Sequence, residues 1–178
     1  MFALLDPATT TGQAGDLLAQ TQKQLGRTPN LYRAMANSPA ALAGYLAFRD
    51  QLQHGVLDVR MRERIALLTA QLNHCDYCVA AHVFRGQKIG MSADDLNDTR
   101  HGRSTDPRIH AALTFVAAQL NGRGHAEAAA RDALFAQGWS EAEAGEIVAH
   151  VALNVLSNYF KQLAEPALDF PVPPDLLP

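Results

Sequence analysis

The sequence predicts an all-α protein. Apolar residues recur at three- and four-residue spacing through nearly every segment, and no stretch alternates polar and apolar residues as a half-buried strand would. Capping residues, glycines and prolines also divide the chain at helix-sized intervals. At 178 residues the chain reads as one compact helical domain over 1–178, long enough to bury a proper core.

Each element has its own signal. "GDLLAQTQKQLG" is amphipathic, with Leu17, Leu18 and Leu25 on one side and Gly26 as a stop. "RTPNLYRAMANSP" predicts a brief helix between prolines, and "PAALAGYLAFRDQLQHG" starts with Pro39 in its first turn and ends at Gly55. Asp58 caps the helix "VRMRERIALLTAQLN", whose core stripe is Met61, Ile65, Leu68 and Leu72. The chain turns around Asn73, and "CDYCVAAHVFRGQKIG" forms a separate helix. In "MSADDL", Ser92 and Asp95 make a capping pattern, whereas the polar "NDTRHGRSTDPR" predicts an exposed loop. "PRIHAALTFVAAQLNGRG" is again helical. The long stretch after it splits into two helices, the first ended by Gly138 and the second opened by Ser140 with Glu143. A proline-rich tail at about 166–178 is expected to be extended, on the surface or on a neighbour.

Composition narrows the function classes. Hydrophobic residues make up 48% and charged residues 19%, which fits a soluble globular chain and excludes wholesale disorder. The net charge of −3, without a basic run, gives no basis for nucleic-acid binding. No run approaches the ~20 apolar residues of a membrane span, and the N-terminus lacks a secretory pattern. A cytoplasmic location is the expectation, and there a cysteine pair points to catalysis, redox chemistry or metal rather than a staple.

The two cysteines, in "NHCDYCVAAH", stand three apart with a histidine four residues beyond the second. At about 100° per residue, Cys75, Cys78, Val79, His82, Gly86 and Ile89 share a helix face. Helical neighbours at that spacing hold their Cβ atoms roughly 5–6 Å apart, so a modest distortion of the first turn lets the thiols bond reversibly. The helix's positive end favours thiolate. His82 is one turn from Cys78 and can accept its proton. Glu63, set among Ala66, Leu67 and Ala70, is expected to be partly buried with its pKa raised.

The pattern E-x11-C-x-x-C-x-x-x-H, here Glu63, Cys75, Cys78 and His82, resembles the core motif of the alkylhydroperoxidase D-like branch of the carboxymuconolactone decarboxylase family. The surrounding "LDVRMRERIALLTAQLNHCDYCVAAHVFRGQKIGMS" and the flanks "GRTPNLYRAMANSP" and "ALNVLSNYF...LDFP" are similar to it as well. The resemblance implies an all-helical fold, homotrimers or hexamers, and thiol-dependent reduction of hydrogen peroxide or small organic hydroperoxides without a cofactor. It also implies that Cys78 attacks the peroxide, that Cys75 resolves the product to a disulfide, and that Glu63 and His82 relay protons. A dithiol donor of lipoyl type would re-reduce the pair. Two features depart from relatives. Tyr77 stands between the cysteines where founding peroxidases can carry histidine, and Lys161-Gln162 replaces a frequent Asn-His pair.

Other readings remain open at this level. Glu63 can be a solvated partner of Arg60, Arg62 and Arg64. Cys75, Cys78 and His82, with His74 or Glu63, have donor types that zinc accepts, although they crowd one short segment. Lactone decarboxylation, which names the wider family, needs no cysteine pair, and a non-enzymatic redox sensor would need only a reversible disulfide. The stripe His150, Asn154, Asn158, Lys161 and Glu165 is expected to be solvated or subunit-facing.

Overall fold

The computed structural model describes residues 2–173, and every regular element in them is an α-helix. These residues divide into two compact units. One comprises the chain up to Gln51 together with Tyr159–Asp169; the other comprises Leu52–Asn158 and the residues from Phe170 on.

In the first unit lie α1 (Gly12–Leu25), α2 (Asn30–Met35) and most of α3 (Pro39–Gln53). Gly26 ends α1 in the left-handed conformation at φ 69°, a position glycine occupies without steric cost. The buried face of α1 is Gly15, Leu18 and Thr21. Leu25, expected on that face, is 38% exposed because it falls in the last turn, past the covered stretch. Tyr32 and Tyr45 meet edge to face at 5.6 Å. Asp169 accepts from the Arg27 guanidinium at 2.5 Å and from the Asn30 backbone N–H at 3.0 Å.

The second unit holds α4 (Val59–Leu72), α5 (Asp76–Lys88), α6 (Ala93–Arg100), α7 (Pro107–Asn121), α8 (Ala128–Ala136) and the greater part of α9 (Glu141–Ala164). Three helix starts follow from side chains that accept orphan N–H groups: Asp58 from Met61, Ser92 from Asp95, and Asp106 from Arg108 and Ile109. Ser140 and Glu143 form the reciprocal box at the start of α9. The stripe Met61, Ile65 and Leu68 is buried against Leu113, Val116, Leu134, Trp139, Ile147 and Val151, with Leu72 packed on its edge.

Two turns of this unit are set from afar. Glu146 on α9 accepts the backbone N–H groups of Val56 (2.8 Å) and Leu57 (3.1 Å), which fixes the entry to α4. Its carboxylate occupies the space that a Cβ at Gly55 would take. The segment predicted as one loop, "NDTRHGRSTDPR", is a loop only over residues 101–106, and its last two residues, Pro107 and Arg108, open α7. Residues Asn97–Arg100 complete α6. The physical reason is Arg64, which is buried on α4 and bonds Asp95 and Thr99, tying this polar helix down.

Residues 165–173 form no helix or strand, as the prolines require. Phe170 packs edge-on against Tyr77 at 5.6 Å and near Phe84 at 6.1 Å, both on α5. Positions 174–178 of the expected tail lie outside the described residues.

Candidate active site

The chemistry of the second unit concentrates at the α4–α5 corner. After α4 ends, Asn73 caps it, and His74 takes φ 53°, a left-handed conformation that non-glycine residues adopt at some cost. The Cys75 N–H then donates back to the Ala70 carbonyl at 2.9 Å, and the Cys75 carbonyl accepts from Val79 at 2.8 Å to start α5. The Asn73 side chain donates to Asn158 Oδ1 at 3.0 Å, holding this corner to α9.

Cys75 is therefore the N-cap of α5, with non-helical φ −101° and ψ 81°, rather than a member of the helix face. The departure from helix geometry falls on Cys75 itself. It brings the two Cα atoms to 5.2 Å, and Cys75 and Cys78 are joined by a disulfide. Both are buried, at 0% and 4% exposure.

His82, one turn after Cys78, points its Nδ1 at Glu63 Oε2 at 2.7 Å. Their side chains are 10% and 18% exposed. Burial pushes the Glu63 carboxyl up, but the charge and hydrogen bond of His82, followed by the Arg85 and Arg62 guanidiniums, outweigh it and hold the acid below its ordinary value. The expected raised pKa is thus overturned: Glu63 is an ionised partner, not a neutral acid. Nor is it a solvated companion of its arginine neighbours. Arg64 is spent on Asp95, Arg62 donates to the Gln53 carbonyl at 2.8 Å, and Glu63 turns to His82.

The structure therefore brings Glu63 to His82 and Cys75 to Cys78, with Cys78 and His82 on one helix at i, i+4. Sequence reasoning missed Arg85, whose signal was its place three residues after His82 on the same helix. It also misjudged the α9 stripe. His150, Asn154 and Asn158 are buried at 5%, 6% and 0%, because this polar edge packs within the unit; Lys161 is half-buried and Glu165 is exposed. As for zinc, the disulfide occupies both sulfurs that the site would need. Among the described residues no three His, Cys, Asp or Glu side chains gather as metal ligands.

A family model for carboxymuconolactone decarboxylases matches residues 39–113, which contain all four motif residues. This region is similar to that family. Solved structures extend the likeness along most of the chain. A peroxidase-related protein of Silicibacter sp. TM1040 superposes with TM-score 0.79 at 20% identity, covering 93% of this chain and 88% of its own. An alkylhydroperoxidase AhpD core protein of Ralstonia eutropha JMP134, also peroxidase-related, has TM-score 0.79 at 25% identity, covering 94% and 91%. The debrominase Bmp8, solved with 2,3,4-tribromopyrrole, shares the fold at TM-score 0.76 and 17% identity, covering 88% and 86%. No curated protein matches the sequence. The fold is thus the all-helical fold of these alkylhydroperoxidase D-like structures, bearing a C-x-x-C pair. No helix among the described residues is long and apolar enough to cross a membrane.

Proposed function

We propose that the protein is a thiol-dependent peroxidase acting on hydrogen peroxide or small organic hydroperoxides. One observation carries this reading: a bonded cysteine pair on the helix that also presents a histidine to an ionised, largely buried glutamate. In the reduced protein Cys78 gives its proton to His82, whose imidazolium is stabilised by Glu63. The thiolate attacks the peroxide, the O–O bond breaks, and sulfur is oxidised to sulfenic acid while the leaving alkoxide takes the proton from His82. The Cys75 thiol then displaces the hydroxyl, its proton leaving with that group as water, and the disulfide forms. A dithiol of lipoyl type restores the pair by exchange and departs as a disulfide.

Burial of both sulfurs supports a small oxidant. The reading includes no cofactor, a cytoplasmic setting that supplies dithiols, and a homo-oligomer, trimer or hexamer. Exposed Val148, Leu156, Tyr159 and Leu163 on α9 support assembly, which light scattering tests. The activity test is consumption of cumene hydroperoxide with a dithiol donor. Turnover is expected in the wild type and abolished in Cys78→Ser. A reversible disulfide without turnover would replace the peroxidase reading with a redox-sensing one.

A further inference from the structure

The corner that carries Cys75 is not specified by its own sequence. Between Leu72 and Cys78 stands neither glycine nor proline, the residues that most often end a helix and turn the chain. The structure nevertheless closes α4 there with a pair of backward bonds. The His74 N–H donates to the Gln71 carbonyl at 3.1 Å, and the Cys75 N–H to the Ala70 carbonyl at 2.9 Å. A helix end of this kind needs one left-handed residue, commonly glycine, and His74 fills the place at φ 53°. A side chain there carries a steric cost. Cys75 is thus the residue that closes α4 and the N-cap of α5 at once.

What reaches this corner from outside is Asn158 on α9. It is wholly buried, its Oδ1 accepts from Asn73 Nδ2 at 3.0 Å, and its own Nδ2 has no partner among the described residues. A buried amide with a donor left unmet contributes poorly to stability, and an apolar side chain of that size would serve better. The amide supplies position instead, since it grips the residue directly before the left-handed turn and two before Cys75. We propose that Asn158 is a positioning residue for Cys75: through Asn73 it holds the turn that keeps Cys75 off the helix and within bonding reach of Cys78. In the oxidised protein the disulfide also fixes the corner. In the dithiol form that covalent tie is gone, and the Asn73–Asn158 bond keeps the Cys75 thiol placed for closure. Losing the bond lets the reduced corner relax, which favours the dithiol.

The inference rests on the reading of Cys75 as the resolving thiol but not on peroxide turnover, so the test reads the thiol–disulfide equilibrium alone. Wild type, Asn158→Ala, Asn73→Ala and the double variant are equilibrated with reduced and oxidised dithiothreitol at set ratios. The fraction carrying the disulfide is read by alkylation and intact mass. Asn158→Ala is expected to move the equilibrium about fivefold toward the dithiol, the share of one neutral hydrogen bond. At about 30 mV per tenfold, that raises the potential by about 20 mV. Asn73→Ala should give the same shift, and the double variant no more, because the two amides act as one bond. A contact that merely stabilises the fold weakens both redox forms alike and leaves this equilibrium unmoved. Asp95→Ala, which breaks the Arg64 pair instead, is therefore expected to stay at the wild-type value. An equilibrium unmoved by Asn158→Ala, shifts that add in the double variant, or an equal shift in Asp95→Ala overturns the proposal. Should Asn158→Ala not fold, Asn73→Ala combined with Asn158→Leu leaves no amide unpaired and reads the same equilibrium. Absent turnover with the shift intact would refute the peroxidase reading and uphold this one.

Discussion

Replacing Glu63 by glutamine tests the ion pair with little change of shape. In the wild type the carboxylate meets His82 at 2.7 Å with both side chains largely buried, so the bond is charge-assisted and weakly screened. Such a bond contributes about 1.5–3 kcal/mol and a neutral one about 1 kcal/mol, so the variant is expected to lose about 1–2 kcal/mol at neutral pH. For a chain of this length that lowers Tm by about 2–8 °C. The pH dependence has a definite sign. Glu63 ionises below its ordinary 4.5 in the folded protein, so its stabilisation is fully present above that value and is lost as pH falls through the lower folded one. The difference between wild type and variant should therefore close in acid. Without the anion the imidazolium loses its partner, and the Cys78–peroxide rate constant is expected to fall about 100-fold, the lower range for acid–base assistance. Stopped-flow mixing of reduced protein with peroxide and urea titrations at several pH values measure both. A variant within about twofold of the wild-type rate would refute the relay.

Three further outcomes follow from the second unit. Asp95→Ala leaves the Arg64 guanidinium buried with only Thr99, and urea denaturation should show a loss of about 3 kcal/mol. Gly86→Ala puts a Cβ 2.5 Å from Leu96 Cδ2, and calorimetry should find about 1–2 kcal/mol of overpacking, because Leu96 is itself buried between α5 and α6. His150 titrates at about 4 in the folded protein against 6.5 ordinarily, so its stabilisation is complete above 6.5 and declines as pH falls toward 4. The decline amounts to roughly 3 kcal/mol, and denaturation of His150→Phe across that window should lack it.

Where the sequence proved legible, local physics was enough. The caps at Asp58, Ser92 and Ser140 and the stripe Met61, Ile65, Leu68 act within one or two turns, and the structure repeats them. The polar end of α6 was misread because its helix depends on Arg64, some thirty residues away, and composition alone favours a loop. Glu63 is the same lesson at the site. Its burial was foreseeable from Ala66 and Ala70, but the direction of its pKa turned on His82 and Arg85, which only tertiary packing brings near. The α9 stripe was misplaced because a polar edge looks solvated until a second polar element, here Asn73, is found opposite it.

Intact-mass analysis of reduced protein after one equivalent of peroxide asks most directly whether these sulfurs are the reacting atoms. The account predicts loss of two hydrogens in the wild type, a gain of one oxygen on Cys78 in Cys75→Ser, and no peroxide-driven change in Cys78→Ser. A wild-type mass that does not move, or oxidation that persists without Cys78, would contradict it.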